Sequence, residues 1–288
     1  MQTPTGKMLG GPMYALEKGL GWKTMAILFA IFTMIASFGI GNTVQANAIA
    51  TIANNTYGIS PWIMGAVVCG LTAAVIIGGV KSIAKVCGML VPFMALFYIV
   101  GCIYILFVNH NYVWPAISLI LKCAFSPEAA GGGFAGSSIM MVARYGLARG
   151  LFSNESGLGS APIAAAAAQT KEPVRQGLVS MTGTFIDTIV ICTMTGLSIV
   201  ITGTWNTGLE GVEITTAAFQ KGLPFPPVVA SFSLMLCLVF FAFTTILGWD
   251  YYGERCLEYL FNRNKTAVKT YRWLYILCVF IGPYMTVA

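Results

Sequence analysis

The fold is decided by a stretch in the middle of the chain, residues 150–168, which reads GLFSNESGLGSAPIAAAAA. It places a polar, glycine-rich break inside an otherwise apolar segment. At membrane depth such a break is tolerated only where the freed backbone groups face a cavity, a ligand or an ion. The alternative is a packing kink with small residues at a helix crossing. The polar side chains at 153–155 favour the functional interpretation, because such groups are costly at a mere kink.

Composition predicts that the chain is a membrane protein. Hydrophobic residues make up 57% of the 288 residues and charged ones 9%, with a mean hydropathy of +0.78. A soluble domain of this length could not bury so much apolar surface. Several stretches are long enough to cross a bilayer as helices, and none shows the alternation of an outer-membrane barrel. The predicted fold is an all-α polytopic membrane protein with one transmembrane domain, 1–288.

The predicted spans are 23–53, 61–80, 86–108, 135–168 (the broken span), 176–202, 228–250 and a partial span 272–288. If they alternate in direction, twelve Lys and Arg residues fall on one side and two on the other. The positive-inside rule then places residues 1–22 on the cytoplasmic side. The twelve are Lys7, Lys18, Lys23, Lys81, Lys85, Lys171, Arg175, Arg255, Arg263, Lys265, Lys269 and Arg272, and the two are Lys122 and Lys221.

Three features between the spans bear on partners and cofactors. The net charge of +6 follows this topology, so no nucleic-acid partner is predicted; the lipid bilayer is the expected surrounding. Segments 111–125 and 211–221 read as short helices at the outer surface, and 253–272 reads as a charged cytoplasmic connection. The eight scattered cysteines are expected to be buried apolar residues, not disulfides or metal ligands.

In the broken span two half-helices are expected to meet near 152–157, with Pro162 in the first turn of the second half. A starting helix presents free N–H groups to a carboxylate, while an ending one offers carbonyls to a cation. These two helix ends, one suited to a carboxylate and the other to a cation, favour an amino acid together with Na⁺ or H⁺ as the ligands. Glu155 is expected to form a structural pair with Arg149, with Arg144 also near in sequence, and not to carry protons.

Two further polar groups lie within spans. Asp187 lies on a polar stripe of its helix, where it is either a cation ligand or a helix-tethering acceptor. The alternative is a hydrogen bond to neighbouring backbone or to Thr188. Gln45 and Asn42 share one face of the first span. An amide can donate to a carboxylate and accept from an ammonium, but it can equally hold two helices together.

The span from 228 carries paired hydroxyls, Thr244 and Thr245, near its middle if the helix runs on past 255. Hydroxyl and carbonyl oxygens suit a small hard cation such as Na⁺. If the two threonines are considered by themselves, the better interpretation is that their hydroxyls donate to carbonyls of the preceding turn. Trp249, Tyr251 and Tyr252 read as an interfacial aromatic belt.

Six stretches, in order along the chain, resemble the alanine or glycine:cation symporters, amino-acid carriers with the LeuT-type fold. The resemblance implies a partial inverted-repeat bundle, core helices three to about nine, in the inner or plasma membrane. It implies sodium-coupled symport of alanine, glycine or a similar small amino acid by alternating access, with Na⁺ as coupling ion and no organic cofactor. The stretches are GGPMY (10–14), GNTVQAN (41–47), PFMA (92–95), GLFSNE with GLGSAP (150–155 and 157–162), DT (187–188) and TTILGW (244–249).

The same resemblance implies the site residues. Phe152 and Trp249 would close a pocket too small for large side chains, and Thr244 and Thr245 would contribute to a sodium site, with Asp187 a further candidate. The implied substrate-binding residues are Gln45, Phe152, Ser153, Asn154, Thr245 and Trp249.

The chain departs from the family pattern at its ends. Such carriers begin with two core helices ahead of the Gly10 stretch, so the chain is expected to be an internal piece truncated at both ends. A non-transporting scaffold or amino-acid sensor is the alternative function. An intramembrane enzyme built on Ser153 is disfavoured, because the one histidine, His110, falls on a predicted outer loop and no lysine lies in the interior of a span to act as base.

Overall fold

The computed structural model describes residues 9–124, 155, 157–168, 170, 172–209 and 211–285. Every regular element in these ranges is a helix, and they contain no strand. The all-α class predicted from the sequence is therefore confirmed.

The eight longest helices of the described ranges are numbered in chain order. The sequence predicts helices at 111–125 and 211–221, and the structure confirms them; their place at the outer surface stays a prediction. The eight are α1 Lys23–Tyr57, α2 Pro61–Ile77, α3 Gly79–Val108, α4 His110–Ala124, α5 Pro173–Thr202, α6 Val212–Gly222, α7 Pro227–Leu260 and α8 Lys265–Ile281.

Local sequence signals fix several helix ends. Gly58 ends α1 and Gly203 ends α5, both with a left-handed φ, of 66° and 69°, which glycine adopts without strain. Pro61 occupies the first turn of α2, where its missing N–H has no partner to lose. The side chain of Asn264 caps α8 by accepting from the Thr266 N–H at 2.9 Å.

Four helices, α1, α3, α5 and α7, are long and apolar enough to cross a membrane, at 30 to 35 residues each. A helix of 30 residues is about 45 Å long, against roughly 30 Å of hydrocarbon. Large apolar side chains such as Phe32 and Phe107 are 66% and 77% exposed, which suits a lipid surrounding. The chain is thus a polytopic membrane protein. Which residues lie in the bilayer stays a prediction, and most of the broken span 135–168 is outside the described residues.

Two of these helices contain π-helical turns. One spans Gly39–Thr43 in α1 and the other Phe185–Cys192 in α5. Such turns interrupt the regular hydrogen-bond ladder and are frequent at functional sites. Both lie where the sequence predicts polar site residues, next to Gln45 and around Asp187.

The chain forms two compact units. The first comprises Met1–Phe97, Gly159–Gln169 and Phe232–Ala288. Its core is built by α1, α2, α7 and α8, which are held by close side-chain packing because lipid is as apolar as the residues themselves. The core residues are Ala46, Ile49, Val68, Ile76, Ala242, Phe243, Ile246, Leu247, Leu257, Tyr271, Tyr275 and Val279.

The second unit comprises Tyr98–Leu158 and Thr170–Ser231. In its described part the end of α5 packs against α4 and α6. The Tyr98 hydroxyl and Thr195 Oγ1 are hydrogen-bonded at 2.7 Å, and the rings of Tyr98 and Phe219 stack with centroids 5.4 Å apart. Lys221 Nζ donates to the Thr202 carbonyl at 2.6 Å and closes the end of α5.

Candidate functional site

The restart after the break is described, and the break itself only in part. Glu155 has φ 56° and Gly159 has φ 75°, so the backbone is not helical there. A five-residue helix then begins, Ala161–Ala165, with Pro162 in its first turn. The restart predicted at Pro162 is confirmed. Phe152, Ser153, Asn154 and Arg149, and with them the predicted Arg149–Glu155 pair, lie outside the described residues.

The restart packs against the segment at 10–14. A Cβ added to Gly10 would lie 2.6 Å from the Ala166 Cβ, and one on Gly159 would lie 3.3 Å from a Pro12 ring carbon. Met13 and Ile163 belong to one buried cluster. Two of the stretches that carry the family resemblance are therefore in direct contact, which explains the small residues in both.

Helices α1 and α7 approach each other closely at Gly41. A Cβ on Gly41 would lie 2.2 Å from both Cβ and Cγ of Trp249, so only glycine fits at this position. One helical turn before, Ser37 faces Gly253 in the same way, with Ser37 Oγ 2.7 Å from where a Gly253 Cβ would lie. The two helices therefore run antiparallel along this seam.

Gln45 and Thr245 lie one turn beyond the Gly41–Trp249 contact, on α1 and α7 respectively. By helical spacing, Gln45 and Thr245 are expected on the same line of contact as Trp249, so that three of the predicted substrate residues would follow one another there. Gln45 is half-buried, and its Nε2 donates to the Ile40 carbonyl at 3.2 Å. Trp249 is 2% exposed, so it is enclosed by protein and does not belong to an exposed aromatic belt.

The hydroxyls of Thr244 and Thr245 donate to carbonyls of the preceding turn. Thr244 Oγ1 donates to Phe240 O at 2.9 Å and Phe241 O at 3.1 Å, and Thr245 Oγ1 to Phe241 O at 2.8 Å. This is the alternative that the sequence left open. A hydroxyl that donates its hydrogen keeps oxygen lone pairs that can still bind a cation. The sodium role of the two threonines stays a prediction.

Asp187 lies in the second unit, within the π-helical turn of α5. Thr188 Oγ1 donates to its Oδ2 at 3.5 Å, the hydrogen bond expected on the structural interpretation. Its polar stripe is buried at Ser198 and Thr202 but exposed at Ser180. A role in cation binding stays a prediction for this carboxylate.

Asn42 holds two helices together. Its side chain is fully buried, and Nδ2 donates to the Tyr275 carbonyl at 2.8 Å. The Tyr275 hydroxyl in turn donates to Ile246 O of α7 at 2.8 Å. Helix α8 is thereby hydrogen-bonded to both α1 and α7, beside the Gly41–Trp249 contact. Sequence reasoning missed the two buried tyrosines of α8, since an aromatic residue near a span end is ordinarily read as interfacial.

The segment 253–272 is mostly helix, because α7 continues to Leu260. Its charges form a largely buried network within the segment that the sequence predicts to be a charged cytoplasmic connection. Arg255 donates to Glu254 Oε1 at 2.7 Å and Glu258 Oε2 at 2.5 Å, and Arg272 Nε donates to Glu254 Oε2 at 2.7 Å. The Arg272–Glu254 pair joins residues eighteen positions apart, and no sequence pattern predicts it.

Comparisons with known proteins show the family of the chain. A family model described as the sodium:alanine symporter family matches residues 1–288. An uncharacterised transporter of Haemophilus influenzae is 50% identical over 282 residues, 97% of this chain and 61% of that protein. The sodium/alanine symporter AgcS of Methanococcus maripaludis is 48% identical over 285 residues, 96% of this chain and 61% of that protein.

A third relative is the putative sodium/proton-dependent alanine carrier protein YrbD of Bacillus subtilis. It is 39% identical over 297 residues, 98% of this chain and 60% of that protein. The chain thus spans about three fifths of the length of these curated relatives. It belongs to the sodium:alanine symporter family.

Proposed function

We propose that this chain carries one wall of the substrate and cation site of a sodium-coupled symporter for alanine, glycine or a similar small amino acid. Family membership supports the transport class, and the relative from Methanococcus is named a sodium/alanine symporter. The observation that carries the proposal is the Gly41–Trp249 contact, with Gln45 and Thr245 on the next turn. Substrate would pass by alternating access.

The seam favours a small substrate. Trp249 fills the space over Gly41, so a side chain much larger than a methyl group would have to displace the indole. The Gln45 amide would bind the carboxylate or the ammonium group of the amino acid, giving up its weak bond to Ile40. The family resemblance adds Phe152, Ser153 and Asn154 as proposed substrate residues, and these lie outside the described residues.

The proposed coupling ion is Na⁺, at Thr244 and Thr245. Both hydroxyl oxygens and the helix carbonyls around them are hard oxygen donors. Asp187, in the second unit, is proposed separately as a cation ligand. The protein would lie in the inner or plasma membrane with residues 1–22 in the cytoplasm, as the charge distribution favours.

The substrate proposal is tested by binding of radiolabelled alanine to the purified chain in lipid vesicles. We expect Gln45→Leu to weaken alanine binding by about tenfold or more, since it removes a hydrogen bond to a charged group. Gln176→Leu is the matched control, because Gln176 lies at the start of α5 in the second unit and its side-chain amide donates to Ser180 Oγ of the same helix. Equal binding by both variants would contradict the role of Gln45.

The sodium proposal is tested by the same assay in sodium and in choline buffer. We expect Thr245→Val to reduce the difference between the two buffers. Thr182→Val is the control, since Thr182 also donates to its preceding turn, at 2.7 Å, but on an exposed face. Alanine binding that ignores sodium in the unsubstituted chain would refute the coupling ion, and binding without uptake would favour the sensor alternative.

A further inference from the structure

A buried carboxyl group lies next to the proposed pocket but outside it. Asp250 follows Trp249 in α7, and it is 0% exposed. Neither of its carboxylate oxygens has a hydrogen-bond partner among the described residues. Neither the proposed substrate site nor the proposed sodium site includes this side chain.

The surroundings of Asp250 come from three helices. One turn along α7, Gly253 leaves room for the hydroxyls of Ser37 from α1 and Tyr271 from α8, which bond to each other at 2.9 Å. Tyr271 and Tyr275 are 3% and 0% exposed, so water has little access. The titratable groups in electrostatic range of Asp250 are Glu254 and Arg255 of α7 and Tyr271, Arg272 and Tyr275 of α8.

The two arginines in this set are already neutralised by other carboxylates. Arg255 binds Glu254 and Glu258, and Arg272 binds Glu254. Two positive charges thus face two negative ones, and an ionised Asp250 would add a third negative charge without a cation of its own. An unpaired charge in a dry interior is far more costly than a neutral polar group.

The surroundings of the Asp250 carboxyl group suit a proton better than a metal ion. A hard metal cation needs several oxygen ligands around it. Within the described residues no group of three or more His, Cys, Asp or Glu side chains could hold a metal ion. The packing one turn from Asp250 is tight, since a carbon atom added to Gly253 would lie 2.0 Å from the Tyr271 hydroxyl and 2.7 Å from Ser37 Oγ. A proton needs no space beyond one O–H bond.

We propose that Asp250 is a proton-binding site, neutral while α1, α7 and α8 are packed together and ionised when they separate. Binding forms one carboxyl O–H bond with a proton taken from water, and release returns that proton to water. The site would link transport to pH, a consequence that rests on the proposed symport. Because Asp250 lies one turn from the Glu254–Arg255 network, exchange would occur at that end of the bundle.

The sequence allows a sharp test, since its only two aspartates are Asp187 and Asp250. The chain is labelled with ¹³C-carboxyl aspartate, reconstituted in lipid vesicles and examined by infrared spectroscopy. We expect a label-shifted band of a protonated carboxyl at neutral pH, lost on raising the pH. Asp187→Asn should keep this band and Asp250→Asn should lack it. Absence of the band at neutral pH, or its loss in Asp187→Asn, would overturn the proposal.

Alanine binding measured over the same pH range tests the link to transport. We expect it to weaken as the band disappears and to become independent of pH in Asp250→Asn. The Asp187→Asn chain assigns the band even if Asp250→Asn fails to fold. A band that titrates while alanine binding stays constant would make Asp250 a purely structural acid and refute the link. Absence of alanine binding at every pH would refute the proposed function, and the labelled band would still decide the proton site.

Discussion

Helices α7 and α5 are both long and apolar, yet they differ in how much of their surface the protein itself covers. In the most apolar stretch of α7, 44% of the residues are buried, against 6% in α5. Around α7 the hydroxyls of Ser37, Tyr271 and Tyr275 form hydrogen bonds between helices, whereas the start of α5 is exposed within its own unit. Apolar composition therefore does not distinguish a helix that packs against other helices of its unit from one whose apolar surface stays exposed there.

The contrast predicts that equivalent substitutions destabilise the first unit more than the second. The largest effect is expected for Arg255→Met, which leaves Glu254 and Glu258 buried without their cation. Breaking a buried ion pair from one side costs about 3–5 kcal/mol. The measurement is the free energy of unfolding in mixed micelles, followed by circular dichroism.

The control for this variant is Arg175→Met, since Arg175 is exposed at the start of α5. Its effect should stay within about 0.5 kcal/mol. Equal losses in the two variants would erase the contrast between the units.

Gly41→Ala should have the next largest effect. The added methyl group would overlap the Trp249 side chain at 2.2 Å, and overpacking of a tight contact costs about 3 kcal/mol. Gly183→Ala in α5 meets no atom within 4 Å and should stabilise its helix by up to about 1 kcal/mol. Thermal unfolding of both proteins checks the opposite signs, and destabilisation by Gly183→Ala would show that α5 is covered there.

A smaller effect is expected for Tyr275→Phe. The variant keeps the ring but removes the hydroxyl that donates to Ile246 O, and a lost hydrogen bond of this kind costs about 1 kcal/mol. Tyr112→Phe, at a tyrosine 63% exposed, should leave the melting temperature unchanged. A melting temperature for Tyr275→Phe equal to that of the parent would mean that α8 does not fasten α1 to α7 through this bond.

The smallest effect is expected in the second unit, for Lys221→Met. The Lys221 ammonium donates to the Thr202 carbonyl at 2.6 Å, but the residue is exposed and water can replace it. We expect a loss of about 0.5 kcal/mol in the same unfolding assay. A loss as large as that of Arg255→Met would show that the end of α5 is fixed as firmly as the interior of the first unit.

Sequence patterns predicted the helical class and the restart at Pro162, because both depend on local composition. The Gly41–Trp249 seam could not be predicted from the residues alone, since the two positions are more than two hundred residues apart. The Glu254–Arg272 pair joins two different helices, α7 and α8, and a separation of eighteen residues matches no helical spacing that would indicate the contact. The sequence does not decide whether the hydroxyls of Thr244 and Thr245 bind a cation, because a helix offers every threonine a carbonyl of the preceding turn.

The π-helical turn at Gly39–Thr43 has a consequence for the register of α1. A π-helical turn takes up one residue more than an α-helical turn, and one residue corresponds to a rotation of about 100°. Deleting a single residue from this turn would restore a regular α-helix and leave Gln45 on its present face, whereas converting the turn to α-helix without a deletion would rotate Gln45 and everything after it by about 100°. The orientation of the side chains after Thr43 relative to those before Gly39 therefore depends on how the helix accommodates one extra residue.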